Sequence, residues 1–270
     1  VAPRARRGLD CRRSCAQGLA MKLGRPIYIR SILFDILLYV LLVVMGLLLL
    51  PCTLSRKWTY RAIRTYCALV LWLLEVLCKI RTEVRGDVPH AEVLICAKHH
   101  SFLDILILSR YLPQAKFIMK RELRYIPIFG QYALRMGSTP VARGRRGRAM
   151  KEMVAHVEEK GGSGGQLVIY PQGTRVAPGA RLPYKIGAGV LYERLGIPCV
   201  PVATNAGVFW GRRKWWRRPG TAVVEFLEPI PPGLPMKEFM ERIESVVEGA
   251  SDALMREAGF DPGAVSRPRR

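Results

Sequence analysis

The sequence predicts an α/β fold: a mixed, mostly parallel central sheet flanked by helices, with an N-terminal membrane-embedded helical hairpin. Three observations carry this. Short apolar or alternating runs recur between residues 92 and 230, separated by stretches of helical periodicity, as in strands joined through helices. SILFDILLYVLLVVMGLLLL, from Ser31 to Leu50, carries one charge, Asp35, and as a helix it would be roughly 30 Å long, enough to cross a bilayer. The composition, 50% hydrophobic and 24% charged over 270 residues, is that of a chain able to bury a core.

Taken in order, the first apolar run is a helix that Pro51 ends. TYCALVLWLLEVLCKI, residues 65 to 80, is interrupted by Glu75 and Lys79 and suits an interfacial or partly inserted helix. Basic residues precede the first run (Arg4 to Arg30) and follow it (Arg56, Lys57, Arg61, Arg64). Positive charge on both sides favours a re-entrant hairpin on the cytoplasmic leaflet over a single crossing, with an ordinary transmembrane anchor as the alternative.

After Gly86 the pattern shortens. EVLICAK (92–98) reads as a buried strand and FLDILILSRYL (102–112) as the helix behind it. AKFIMK (115–120) is a strand, and 122–137 is helical with a break at Pro127. STPVAR (138–143) is a third strand, followed by a charged helix over 147–160. QLVIYPQG (166–173) is strand then turn, and YKIGAGVLYERLG (184–196) is a helix stopped by glycine. PCVPVAT (198–204) and TAVVEFLEPI (221–230) are strands, the proline placing the first near a sheet edge or strand end. A last helix covers about 235–257. The division expected is 1–85 for the basic N-terminus and two-helix membrane element, 86–259 for the α/β domain, and 260–270 for a loose tail.

Forty-three basic against 21 acidic residues give a formal charge of +22, which attracts polyanions without choosing among nucleic acid, anionic lipid and phosphorylated or CoA-bearing substrates. Seven scattered cysteines show no CxxC pair and no zinc-like spacing with histidine, so free thiols in a reducing compartment are expected, with no metal site. GGSGG (161–165) formally satisfies G-x-S-x-G. It follows a charged helical segment and precedes a strand, the reverse of a nucleophile elbow, and reads as a linker. GRRKWWRR (211–218) is a basic, aromatic patch suited to nucleic acid or, beside a membrane anchor, to lipid headgroups.

KHHSFLD (98–104) lies where a strand ends and a helix begins, the place where open α/β sheets hold their sites. Two readings stand. Ser101 and Asp104 have the spacing of a capping box. Alternatively, the turn brings His99 against Asp104, making the imidazole a general base oriented by a carboxylate. YPQGTR (170–175) is a second strand-end loop: either an ordinary turn or a site where Gly173 permits a sharp bend and the Arg175 fork meets a phosphate. MGSTPVAR likewise ends on Arg143.

As a set and in order, His99-x4-Asp104, the RELRYIPIFG and GSTPVAR region, YPQGTR, and the strand around Val200–Pro201 resemble the four blocks of the glycerolipid acyltransferase family over about residues 85 to 230. The resemblance implies transfer of an acyl group from acyl-CoA or acyl carrier protein, as co-substrate, to a lysophospholipid hydroxyl. It implies His99 and Asp104 as the catalytic pair, and Arg143, Gly173, Thr174 and Arg175 as the substrate-binding residues. It further implies no cofactor or metal, and a bacterial inner-membrane location with the catalytic domain on the cytoplasmic face. The acceptor expected is 1-acylglycerol-3-phosphate, with lyso-ornithine lipid or glycerol 3-phosphate as alternatives. Anionic membrane lipids are the expected surroundings, and a membrane-tethered nucleic-acid or anionic-lipid binding protein is the rival from another class. Two positions depart from the commonest pattern: Lys98 stands where asparagine is usual and Gln172 where glutamate is usual.

Overall fold

The computed structural model describes residues 25–142, 152–157 and 164–264. Helix α1, Arg25–Leu48, holds the apolar run as far as Leu48, and Pro51 sits in the first turn of the 3-10 segment Leu50–Leu54 that follows it. Helix α2, Arg56–Cys78, returns antiparallel to α1. The Tyr66 hydroxyl meets the Leu38 carbonyl at 3.4 Å, and the Cys78 thiol meets the Arg30 carbonyl at 3.9 Å. The stretch Pro26–Leu48 is long and apolar enough to cross a membrane, and among the described residues no other helix is.

The sheet has seven strands in the order β1-β7-β6-β2-β5-β3-β4. Strands β2 (Val93–Ala97), β3 (Ala115–Lys120), β4 (Thr139–Val141), β5 (Gln166–Ile169) and β6 (Cys199–Thr204) are parallel. Strand β7 (Gly220–Phe226) runs antiparallel to β6, and β1 (Ile80–Arg85) pairs parallel with β7. This is the mixed, mostly parallel sheet that the alternation of elements predicts. Helix α3 (Phe102–Tyr111) lies on one face with α2. Helices α5 (Gly187–Leu195) and α7 (Met236–Glu257) cover the other, and the short α4 (Phe129–Arg135) and α6 (Ala206–Phe209) fill the margins. Of the charged helix expected over 147–160, the described part, 152–157, is helical. Arg143, Gly161 to Ser163 of the glycine segment, the N-terminal arginines before Arg25 and the tail from 265 lie outside the described residues.

Three features differ from the sequence reading. The reading opens the sheet after Gly86 and passes over β1, whose sequence IRTEVR is mostly polar because it lies at an edge with only Ile80 buried. Pro201 is in the interior of the sheet, not at its edge. It lies one residue before the β6–β7 ladder begins at Val202, so its missing N–H falls at the end of that ladder, and its carbonyl accepts from Leu227 N–H at 2.9 Å. The third concerns Arg217, in the patch read as a surface for polyanions. It is buried, with its guanidinium bidentate on Asp35 of α1, its Nη1 donating to the Ser31 carbonyl at 3.2 Å, and its backbone N–H to Ser31 Oγ at 3.0 Å. The cation also lies 4.5 Å from the Phe34 ring centre and 4.2 Å from that of Trp210.

The lone acid of the apolar helix is thus the counter-charge that docks α1 onto the loop after α6. Ser31, Phe34 and Leu38, one helical face, are buried beside the half-buried Asp35, while Ile36, Tyr39, Val40, Val43 and Leu47 point outward.

Asp35→Ala leaves a buried guanidinium without its partner and is expected to lower stability by roughly 3 kcal/mol. Asp35→Leu combined with Arg217→Met removes both charges and is expected to recover most of that loss. Thermal unfolding in detergent compares the variants.

Candidate active site

Strand β2 is buried throughout, and its pairing with β6 continues through Lys98, whose N–H donates to the Val202 carbonyl at 2.9 Å. The chain then turns into α3 with Ser101 as N-cap, in extended backbone conformation, its Oγ accepting from Leu103 N–H at 3.1 Å. Asp104 completes the capping box: its Oδ2 accepts from the N–H groups of Ser101 and His100, both at 2.7 Å. The same oxygen lies 3.2 Å from His99 Nδ1. The cap and the histidine–aspartate pair, set apart in the sequence as alternatives, are therefore one arrangement. Asp104 is buried, and Thr204 Oγ1 lies 3.5 Å from its other oxygen.

With Nδ1–H donated to the carboxylate, the lone pair of His99 is on Nε2. The Tyr170 ring stacks on the imidazole with centres 3.9 Å apart and planes 18° apart, fixing the ring plane. Tyr170 directly follows β5, which lies beside β2 in the sheet with Cys96 opposite Ile169, so two adjacent strand ends deliver the two rings to one place.

The loop after β5 turns tightly. Gly173 N–H donates to the Tyr170 carbonyl at 2.8 Å, and Gly173 has φ +69°, where a Cβ would fall 2.6 Å from Lys185 Nζ. Val176 N–H then donates to the His99 carbonyl at 2.8 Å, tying this loop to the histidine. Thr174 and Arg175 are half-buried between these anchors. Arg175 is held below the usual guanidinium range, mainly by burial, with repulsion from Arg212, opposition from Asp104 and further repulsion from Arg213. Arg212 Nη1 donates to the Arg175 carbonyl at 3.0 Å. An anion at this cluster would offset both the desolvation of the guanidinium and the repulsion.

His99 and Gly173 also line a cavity of about 950 Å³. Its walls are mostly apolar and come from both layers: Leu42 and Met45 of α1, Ile63 of α2, Phe102 and Ile105 of α3, and Phe117 of β3. The cavity therefore leads from the imidazole to the helices that carry the outward apolar surface. Lys120 and Lys185 are cations on its wall.

The structure brings together His99, Asp104, Gly173, Thr174 and Arg175; Arg143 lies outside the described residues. Among the described residues no three His, Cys, Asp or Glu side chains gather as metal ligands would. Sequence reasoning missed Glu248, whose carboxylate is buried behind the site. The signal was present: Glu248 falls on the apolar stripe of α7 with Phe239, Ile243, Val247 and Ser251, where a charge is out of place unless partnered. His100 is not the surface residue that its loop setting implies. It is fully buried, and a Cβ on Gly207 would meet its own Cβ at 2.6 Å.

A family model described as "Acyltransferase" matches residues 79–205. The chain is 31% identical over 201 residues to a 1-acyl-sn-glycerol-3-phosphate acyltransferase of Pseudomonas aeruginosa, covering 73% of this chain and 78% of that one. It is 34% identical over 157 residues to the human 1-acyl-sn-glycerol-3-phosphate acyltransferase beta, covering 56% of each. Among solved structures, the 1-acyl-sn-glycerophosphate acyltransferase of Thermotoga maritima shares the fold, with a TM-score of 0.72 at 23% identity over 84% of this chain and 95% of that one.

Burial lowers the His100 pKa from 6.5 to about 3, so in acid the unfolded chain takes up this proton before the folded one does. The contribution to stability is complete above the unfolded value and is lost progressively as pH falls from 6.5 toward 3. His100→Leu is expected to remove that slope, about 1.4 kcal/mol per pH unit at most. Denaturant unfolding of both proteins between pH 7 and pH 4 measures it.

Proposed function

Because the chain belongs to the glycerolipid acyltransferase family, we propose that it moves a fatty acyl group from acyl-CoA or acyl carrier protein to the sn-2 hydroxyl of 1-acylglycerol-3-phosphate, giving phosphatidic acid. The observation that carries the proposal is His99. Its Nδ1 is held by a buried carboxylate at 3.2 Å, and the ring lines an apolar cavity large enough for lipid chains.

In this reading His99 Nε2 takes the proton of the acceptor hydroxyl as its oxygen attacks the thioester carbonyl. The Asp104 carboxylate supports the imidazolium that forms. Collapse of the tetrahedral intermediate breaks the carbon–sulfur bond, and the departing thiolate takes the proton from His99. A thiolate leaves readily enough that no acyl-enzyme is needed. Arg175 provides a guanidinium fork for the acceptor phosphate, supported by its half-buried place beside Arg212 and Arg213. Arg143, Gly173 and Thr174 complete the acceptor site, the glycine by letting backbone approach the ligand.

The membrane placement proposed is a hairpin of α1 and α2 in the cytoplasmic leaflet of the inner membrane, among anionic lipids. Its support is the antiparallel pairing of the two helices and the docking of α1 on the domain through Ser31, Phe34 and Asp35. A helix that crossed the bilayer would have to leave that face.

His99→Ala is expected to reduce kcat by roughly 10²–10⁴-fold with folding retained. Asp104→Asn keeps the shape of the cap but loses the charge behind the imidazole, so it too should be severely slow. Purified protein, labelled acyl-CoA and a panel of lysolipids provide the assay; turnover by His99→Ala at the wild-type rate would overturn the assignment. Arg175→Ala is expected to raise the acceptor KM well above any change in the donor KM, with Arg175→Lys restoring only part of it. An unchanged acceptor KM would move the phosphate site elsewhere. For the membrane element, the full chain should stay in the membrane fraction after high salt or carbonate, because apolar burial is not screened. Recovery in the soluble fraction would exclude the hairpin.

A further inference from the structure

A buried polar cluster that the reaction does not use lies directly behind the two site loops. Lys98 precedes His99, and Gln172 precedes Gly173; both side chains turn inward, away from the cavity, and meet on Glu248 of α7. Lys98 Nζ lies 2.6 Å from Oε1 and 2.8 Å from Oε2 of Glu248. Gln172 Nε2 donates to Oε1 at 3.3 Å and to the Leu182 carbonyl at 3.3 Å. The Tyr184 hydroxyl donates to the same Oε1 at 3.1 Å. The Lys98 and Glu248 side chains are 1% and 4% exposed, so the pair is out of water. Lys98 and Gln172 are also the two positions at which the sequence departs from the commonest family pattern.

We infer that Glu248 is the positioning residue of this site, a single carboxylate on α7 that holds the loop of His99 and the loop of Gly173 to Arg175 in register. An ion pair this deep adds little net stability over an apolar filling, because desolvation of both charges offsets their attraction. What it adds is geometry. Beyond Cys96 and Ile169 the β2–β5 ladder has ended, and the two loops are joined by the Val176-to-His99 bond on the cavity side and by Glu248 behind. Burial lowers the Lys98 pKa while the Glu248 carboxylate opposes that shift, so loss of the carboxylate leaves an ammonium that must deprotonate or move toward water. Either response displaces His99, the next residue. Gln172 is neutral for a related reason: a carboxylate at 172 would face that of Glu248 at hydrogen-bond distance.

The inference rests on the proposed acyl transfer for its kinetic readout, and exchange of backbone amides provides a readout that does not. In the full chain in detergent, Gln172→Glu is expected to lower kcat roughly 10-fold to 100-fold through misplacement of the base and to raise the KM for 1-acylglycerol-3-phosphate through loosening of the Arg175 loop, with the KM for acyl-CoA much less affected. Glu248→Gln should do the same. The exchanged pair, Gln172→Glu with Glu248→Gln, restores one cation, one anion and one amide to the cluster and should recover kcat to within a few-fold of wild type. Amides of 98–101 and 172–176 should exchange faster together in each single variant and be protected again in the pair. Lys98→Met with Glu248→Met keeps a packed, uncharged filling and guards against misfolding. It should retain the melting temperature yet show the lowered kcat and the loosened amides.

A double exchange no better than the worse single change, or loops whose protection is independent of Glu248, would overturn the inference. Absence of turnover by the wild-type protein with every donor and lysolipid would count against the acyl-transfer reading instead, and the exchange data would still decide the positioning role.

Discussion

One carboxylate oxygen, Asp104 Oδ2, sets the geometry on which the site depends. It accepts the N–H groups of His100 and Ser101 at 2.7 Å each and faces His99 Nδ1 at 3.2 Å. The path of the chain out of β2, the start of α3 and the orientation of the imidazole are therefore consequences of the same contact. An N-cap by itself needs only the backbone bonds, and a catalytic pair by itself needs only the ring. Here the backbone bonds hold the carboxylate still so that the ring is held still, which is the preorganisation that proton transfer requires.

The rest of the fold delivers partners to that point. Parallel pairing of β2 with β5 brings Tyr170 over His99 and sets the Gly173 turn beside it. The α1–α2 pair closes the other side, and its apolar interior becomes the wall of the cavity that His99 lines. The Asp35–Arg217 contact makes this closure specific, since an apolar helix alone has many equivalent ways to rest on an apolar face. The outward apolar surface of α1, the apolar cavity and the His99 imidazole are thus continuous.

Much of this is legible in the sequence where the signal is local. The period and boundaries of β2, β3, α3 and α7 follow from short windows, and His99 and Gly173 fall in the loops that follow β2 and β5, with Asp104 in the first turn of α3, the region of an open α/β sheet where the sequence pointed. What escaped is what depends on distant partners. Strand β1 carries Arg81, Thr82, Glu83 and Arg85, and its identity comes from pairing with β7, some 140 residues later. Pro201 looks like an edge signal until the end of the neighbouring ladder is known. Arg217 reads as one more basic surface residue, and only its 182-residue separation from Asp35 in sequence hides that the two are a pair. Glu248 was visible as a misplaced charge on an apolar stripe, but its partners Lys98 and Gln172 lie 150 and 76 residues away.

The account turns on the protonation of one ring. The protein has four histidines, so nitrogen-15 labelling of histidine, with His99→Gln for assignment, isolates the His99 signals by NMR in detergent. The account predicts that neutral His99 carries its proton on Nδ1, bonded to Asp104, with Nε2 bare toward the cavity, and that Asp104→Asn abolishes this preference. A resting His99 protonated on Nε2, or a tautomer unmoved by Asp104→Asn, would contradict it.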